Sequence, residues 1–216
     1  MDNYLLIKLL TLPGVIIAIT FHEFAHAYAA DKLGDYTPRS QGRLNLNPLS
    51  HVDPVGFILL LLAGFGWGKP VQINPRNFDN KVSLRAGEAI VSFAGPLMNF
   101  LLAIVFMIFT VALQYFAPNT TIFNVLYDVC SYTCVINIGL GIFNLIPLPP
   151  LDGSKILKNF LPYNAVTWFE NNERIFYIVF LVIWISGISS YILSPIFSAA
   201  YGGLKWVIVS IFKLFL

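Results

Sequence analysis

A run without charged side chains constrains this sequence more than any other feature. No Asp, Glu, Lys or Arg occurs between Glu88 and Asp128, and the part of this segment up to Phe116 is predominantly apolar. Only helices and closed barrels cross a bilayer, because lipid offers the backbone no hydrogen-bond partners, and unbroken apolar runs of this length favour helices. The chain is 11% charged, against roughly 25% for soluble domains. We therefore predict an all-α polytopic membrane protein that lies in the lipid bilayer.

Five to six membrane segments are predicted along the chain. A spanning helix needs roughly 20 residues, so the shorter apolar stretch 54–66 is predicted to be a re-entrant helix. Extended and turn residues alternate over 67–77, which predicts a small β-hairpin. The full set is a three-helix core (4–30, 88–116 and 129–147), the re-entrant helix, the hairpin, and two C-terminal segments (174–193 and 196–216). We group residues 1–160 as the core and 161–216 as C-terminal membrane helices.

The basic residues predict an orientation. Lys and Arg occur throughout 31–87 and again after Pro150, whereas the loop 117–127 contains neither. Positive loops stay on the cytoplasmic side of a cell membrane. If residues 54–66 do not cross, both basic regions share that face, and the chain just after His26 is cytoplasmic. The net charge of +2 and the lack of a basic block give no indication of nucleic-acid binding.

Three ionisable side chains interrupt the first apolar run, in the sequence His22-Glu23-Phe24-Ala25-His26. Such groups are costly in lipid and mark functional sites by default. Residues four apart share a helix face, so His22 and His26 are able to bind one metal ion. Glu23 is rotated by about 100° from His22. It is placed to act as a general base on water rather than as a ligand, which is the pattern of zinc hydrolases.

A zinc site of this kind needs a third protein ligand. Asp152 is favoured because Pro147, Pro149 and Pro150 exclude regular helix before it, and irregular backbone at membrane depth requires a protein-lined cavity. Gly153 is expected to provide a sharp turn. A plain helix N-cap is the simpler interpretation of Asp152. The other candidates are His51, Asp53, Glu170 and Glu173.

Three motifs together carry a family resemblance. They are His22–His26, Gly95-Pro96-Leu97-Met98-Asn99, and Asn144 through Gly153 (NLIPLPPLDG). In order and spacing they resemble the site-2 protease family of intramembrane zinc metalloproteases over residues 4–160. The stretches 42–48 and 66–71 resemble its compact prokaryotic members, without a PDZ domain. The resemblance implies that Asp152 is the third Zn²⁺ ligand, that Glu23 is the catalytic glutamate, and that the substrate is a transmembrane protein cut within or near the membrane.

Two asparagines in apolar helices are further candidates. Asn99 and Asn144 each have two interpretations: a hydrogen bond to the scissile carbonyl or its oxyanion, or polar packing between helices. Both are predicted here as substrate or oxyanion contacts.

The substrate must be held in an extended form, because the carbonyls of a helix are hydrogen-bonded and shielded from attack. Pairing with an exposed strand edge would achieve this. The edge predicted for that role contains Val71 and Ile73. Its simpler interpretation is a tight loop.

The sequence is consistent with two alternatives to an intramembrane endopeptidase. One is a membrane zinc protease whose third ligand is Glu170 or Glu173. The other is a non-catalytic zinc-binding membrane protein. A zinc transporter would be one such protein, and a transporter is expected to carry ionisable residues along several helices. No ionisable residue of this kind lies between Glu88 and Asp128 or between Asp128 and Asp152, which argues against a transporter.

Overall fold

The computed structural model describes residues 3–63, 66–79 and 82–215. Within these ranges the chain is helical and contains no β-strand. The helices are α1 (Asn3–Lys32), α2 (Thr37–Ser40), α3 (Pro48–His51), α4 (Pro54–Ala63), α5 (Leu84–Phe116), α6 (Thr121–Asn144), α7 (Asp152–Phe160), α8 (Tyr163–Asn171), α9 (Glu173–Ile185) and α10 (Ile188–Lys213).

Four of the described helices are long and apolar enough to cross a membrane: α1, α5, α6 and α10. The prediction of an all-helical, multi-pass membrane protein is confirmed at this level. The count differs from the predicted five to six segments. Helix α9 has 13 residues, or about 20 Å at 1.5 Å per residue, which is shorter than the roughly 30 Å hydrocarbon core.

The C-terminal segments divide at a different place from the one predicted. Segments over 174–193 and 196–216 were expected, whereas α9 ends at Ile185 and α10 begins at Ile188. Gly187 lies there with a φ of 75°, a left-handed conformation that glycine adopts without steric cost. Pro195 is inside α10. Proline is tolerated within membrane helices because neighbouring groups satisfy the freed carbonyl.

The core helices also begin and end elsewhere than predicted. Helix α5 begins at Leu84, where the Ser83 hydroxyl accepts the N–H of Ala86 at 3.2 Å. Helix α6 begins at Thr121 rather than 129, so it includes Asp128. It ends at Asn144 rather than 147, because Pro147 restricts the residue before it and cannot continue the helix.

Helices α1, α5 and α6 pack on one another and form the centre of the molecule. Ala103 and Met107 of α5 are buried against Cys134 and Ile138 of α6, and Ile208 of α10 closes the cluster. Cys134 is a free thiol in this core. The packing of the bundle therefore positions the polar residues of α1 and α5.

The hairpin predicted over 67–77 does not form in the described chain. Its only β-type pairing is an isolated antiparallel bridge between Val52 and Gly68, and Pro75–Asn77 is a single 3₁₀ turn. Pro70 and Pro75 have no N–H to donate. The N–H groups of Lys69, Val71 and Asn74 bind groups outside the segment. The segment is an extended loop held by the rest of the molecule.

Candidate metal centre

His22 and His26 lie one turn apart near the end of α1 and face the bundle. Their side chains are almost fully buried, at 6% and 7% residue exposure. The two Nε2 atoms lie 3.0 Å apart. The i, i+4 spacing therefore brings two imidazole nitrogens to one point.

Asp152 reaches the same point from a distant part of the chain. It is the first residue of α7, directly after the proline-rich turn that follows α6. Its Oδ2 lies 3.2 Å from Nε2 of His22 and 3.1 Å from Nε2 of His26. This oxygen is buried and accepts no hydrogen bond from the described residues. Three potential ligand atoms thus converge from α1 and α7.

The opposite nitrogens of the two rings fix the tautomers. Nδ1 of His22 lies 2.7 Å from Oδ1 of Asn99, and Nδ1 of His26 lies 2.7 Å from the carbonyl oxygen of Val91. Both partners are acceptors, so each Nδ1 carries the proton in the neutral ring. Each Nε2 then presents a lone pair to the other and to the Asp152 carboxylate.

This arrangement is repulsive without a cation and fits a divalent metal. Nitrogen and oxygen ligands about 2.0–2.1 Å from a tetrahedral zinc lie about 3.3 Å from one another, and the three observed separations are 3.0–3.2 Å. Two neutral imidazoles and one carboxylate form a ligand set that zinc accepts, with one position left open. The oxygen of Asp152 that lacks a hydrogen bond is the atom that such an ion would satisfy.

Gly95 lets α5 approach the two histidines. A Cβ at this position would lie 2.5 Å from Nε2 of His26 and 2.6 Å from Cε1 of His22. Contacts this short do not occur in folded proteins, so any side chain at Gly95 would displace the rings. The glycine of the Gly95–Asn99 motif is therefore a spacing requirement of the site.

Gly153 serves the site by close approach rather than by an unusual turn. Its φ is not positive, which differs from the sharp-turn role expected from the sequence. A Cβ there would overlap the backbone carbonyls of Leu145 and Ile146. The start of α7 consequently packs directly on the end of α6, and this contact places Asp152 against the histidines.

Glu23 faces the extended loop rather than joining the ligand cluster. Its Oε2 accepts the backbone N–H of Val71 at 3.0 Å. Gly68 lies close to the other oxygen, since a Cβ on it would be 3.6 Å from Oε1 of Glu23. The loop therefore covers the glutamate and fixes one oxygen of its carboxylate.

Two buried residues, His51 and Arg43, tie this loop to the preceding segment. The N–H of Lys69 donates to the carbonyl of His51 at 2.7 Å. The guanidinium of Arg43, itself buried, donates to the carbonyl of Lys69. Burial lowers the pKa of Arg43 from its ordinary 12.5, and the nearby charge of Glu23 opposes that shift. Arg43 thus lies within the electrostatic field of Glu23.

Asp35 anchors the far end of the same loop. It is completely buried and accepts hydrogen bonds from the N–H of Asn74 at 2.7 Å and from Nδ2 of Asn77 at 2.9 Å. Burial raises the pKa of this carboxyl, but hydrogen bonds from Thr37, Asn74 and Asn77 outweigh burial and hold it below 3.8. The loop is therefore pinned to the end of α1.

The other candidates for a third ligand lie apart from the cluster. Nε2 of His51 binds the carbonyl of Asn45 at 2.7 Å, and the Asp53 carboxylate accepts the N–H of Gly56 at 2.8 Å. Glu170 pairs with Lys158 at 3.5 Å. Within the described chain, the His/Cys/Asp/Glu group close enough to share an ion consists of His22, His26 and Asp152.

Asn99 contacts His22 and other residues inside the bundle, which differs from the predicted contact with a substrate or oxyanion. It is completely buried, its Oδ1 faces Nδ1 of His22, and its Nδ2 donates to Ala18 O at 3.1 Å and to Oδ1 of Asn137 at 3.0 Å. Both amide protons are used inside the bundle. No donor of Asn99 is left for an oxyanion.

Asn144 is the last residue of α6 and is half-buried. Its Nδ2 donates to the carbonyl of Leu140 at 3.1 Å, which leaves its second amide proton without a partner among the described residues.

The side chain of Ile73 packs against the cluster of Ala30, Phe78 and Val91. Its backbone N–H has no hydrogen bond to another described residue.

Asn137, Arg43 and Asp35 were not singled out from the sequence. Asn137 is a polar amide in an apolar helix, the signal that identified Asn99, and the same rule would have found it. Arg43 and Asp35 lie in polar loops, where burial has no local sequence signature.

A buried cluster of two histidines and one aspartate inside a bundle of membrane helices, with a glutamate adjacent to the first histidine, is the arrangement expected of a membrane metallohydrolase. The family model for peptidase family M50 matches residues 115–187. A Bacillus subtilis (strain 168) protein whose name is that of a zinc metalloprotease, YwhC, is 37% identical over 99% of both chains. The Methanocaldococcus jannaschii protein MJ0611, similarly named, is 30% identical over 83% of this chain and 84% of its own length.

A third relative, Rip2 of Mycolicibacterium smegmatis, also carries a zinc metalloprotease name and is 28% identical over 72% of this chain and 59% of its own length. No solved structure matches the chain. The chain belongs to the site-2 protease family, peptidase family M50, and is a zinc metalloprotease of the membrane. Zinc is therefore the ion that the cluster is expected to hold.

Proposed function

We propose that this protein is an intramembrane zinc endopeptidase that hydrolyses a peptide bond within or near a transmembrane segment of a membrane-protein substrate. The observation that carries the proposal is the convergence of His22, His26 and Asp152 within the helical bundle, beside Glu23. These three residues are the proposed zinc ligands. When bound, zinc acts as a Lewis acid that polarises the scissile carbonyl and the attacking water.

Glu23 is the proposed general base and acid. It takes a proton from the attacking water and passes it to the leaving amine. Because the N–H of Val71 holds Oε2, the carboxylate is oriented with Oε1 available for the proton. The loop thereby prepares the glutamate before substrate arrives.

The test is cleavage of single-span model substrates by the purified full-length protein. We expect Glu23→Gln to bind zinc normally and to lose at least 10²-fold in rate, since general acid–base groups contribute about 10²–10⁴-fold. Glu170→Gln, at an exposed site, is the matched control and should cleave at the wild-type rate. Full activity of Glu23→Gln would refute the mechanism, and the non-catalytic alternative predicts no cleavage by any form.

Asn144 is the remaining candidate for a contact with the substrate carbonyl, because one of its amide protons is unused. Asn144→Ala should keep its zinc, measured by metal analysis, and lose turnover by about 10²-fold, the loss typical of one oxyanion donor. Loss of zinc from this variant would instead assign Asn144 to the support of the metal site.

The membrane topology of the proposed enzyme follows from contacts around α4. Residues on both sides of this helix meet, since Val52 bridges Gly68 and Gln41 donates to Gln72 at 2.8 Å. These contacts support a re-entrant α4 that does not cross. Arg85 also donates to the carbonyl of Leu161 at 3.3 Å, which joins the two basic regions. We infer a cell-membrane protein whose active site opens to the cytoplasmic side.

A further inference from the structure

A chain of buried hydrogen bonds runs behind the metal centre and links three helices. Asn137 of α6 is completely buried, and its Nδ2 donates to the carbonyl of Thr133 at 2.9 Å. Its Oδ1 accepts from Nδ2 of Asn99, 3.0 Å away on α5. Asn99 in turn faces His22 on α1. The last of these hydrogen bonds reaches Nδ1 of His22, and Nε2 of the same ring is one of the converging ligand atoms.

The direction of every bond in this chain is fixed. Because the Thr133 carbonyl only accepts, Asn137 turns its NH₂ toward it and its oxygen toward Asn99. The carbonyl of Ala18 and Oδ1 of Asn137 then both require donors, so Asn99 turns its NH₂ to them and its oxygen to His22. His22 must therefore donate from Nδ1, which leaves the lone pair of Nε2 directed at Asp152 and His26.

We propose that Asn137 is a positioning residue that acts through Asn99 to hold His22 in its metal-binding tautomer. The inference rests on the proposed assignment of His22 as a zinc ligand. Ala18 alone satisfies one proton of the Asn99 amide. Without Asn137 the second proton is buried in an apolar bundle with no acceptor, a costly state. Rotation of the amide would relieve that cost only by turning NH₂ toward His22, which reverses the tautomer.

The first measurement is zinc affinity of the full chain, by competition with a chromophoric chelator. Asn137→Leu, similar in size and apolar, should weaken zinc binding about tenfold, the lower end of the effect of groups that orient metal ligands. Asn137→Asp should retain affinity, because a carboxyl that is neutral in this apolar site supplies an acceptor and a donor in the same places. If the leucine variant does not fold, Asn137→Ser, whose hydroxyl is too short to reach Asn99, replaces it.

Thr110→Val is the matched control. The Thr110 hydroxyl is also buried and binds its own helix, at 2.7 Å from the carbonyl of Phe106, without a link to the histidines. Its loss should leave zinc affinity unchanged. An equal loss in Thr110→Val and Asn137→Leu would show a general effect of removing buried polar groups and would overturn the inference.

Two further readouts separate positioning from a merely structural role. In an Asn99→Ala background, Asn137→Leu should cause no additional loss of affinity, whereas additive losses would overturn the route through Asn99. Nitrogen-15 NMR of the metal-free protein, which has three histidines, should show the Nδ1–H tautomer of His22 in the wild type and a mixture in Asn137→Leu. An unchanged tautomer would also overturn the inference. Zinc binding by His22→Ala at wild-type affinity would refute the ligand assignment itself, a result distinct from any of these.

Discussion

At the scale of single residues, the lack of a side chain at Gly95 leaves the space that the two imidazoles of the metal centre occupy. Gly95→Ala would place a methyl group against both imidazoles. We expect this variant to fold and to lose most of its zinc, because the ring positions are incompatible with the added carbon. Metal analysis of the purified protein, beside cleavage of a model substrate, measures the effect.

Gly139→Ala is the matched control for that prediction. Gly139 is also a helical glycine of the bundle, but a Cβ on it would meet nothing within 4 Å. Alanine stabilises a helix by about 1 kcal/mol relative to glycine, so this variant should be unimpaired in zinc content. Normal zinc in Gly95→Ala would show that the backbone of α5 adjusts freely, contrary to the packing described.

The same scale shows what sequence could predict and why the rest escaped it. His22, His26 and Asp152 were predicted together, because ligand chemistry and the family motifs restrict residue type and spacing. The role of Asn99 was not, because substrate contact and ligand support both demand a polar amide in an apolar helix. Only the positions of Ala18 and Asn137 relative to its NH₂ distinguish the two. Those positions depend on how three helices pack.

At the scale of elements, proline substitutions separate two roles of the extended loop 67–77, which are to orient Glu23 and to hold the substrate extended. Val71→Pro removes the N–H that orients Glu23. Its cleavage rate should fall for every substrate, including short unstructured peptides, while zinc content stays normal. Ile73→Pro removes an N–H with no described partner, so it should impair only substrates that must be held extended. Comparison of a helical and an unstructured substrate measures the difference.

Each outcome bears on one role of the loop. Unchanged cleavage by Ile73→Pro in a stably folded protein would refute the prediction that this loop pairs with the substrate. Unchanged cleavage by Val71→Pro would show that the loop contact to Glu23 is not needed. The predicted hairpin was wrong for a related reason: alternation of residue types does not reveal that Glu23, His51 and Asp35 take the hydrogen bonds that a second strand would need.

At the scale of the whole molecule, the arrangement of basic loops and of α4 predicts which face each loop occupies. In a background of Cys130→Ala and Cys134→Ala, single cysteines at Leu49, Arg76 and Asn119 test it with a membrane-impermeant maleimide. Leu49→Cys and Arg76→Cys should react only in inverted vesicles, and Asn119→Cys only in intact cells. Labelling of Leu49→Cys and Arg76→Cys from opposite faces would show that α4 crosses.

The proposed ligands from α1 and α7 also have a consequence for biosynthesis. Ribosomes add about 5–20 residues per second, so Asp152 emerges on the order of ten seconds after His26. During that interval the nascent chain carries the two histidines and Glu23 without their carboxylate partner. With the proposed ligand set, the zinc site is therefore completed only after α6 has been inserted and α7 has docked against its end.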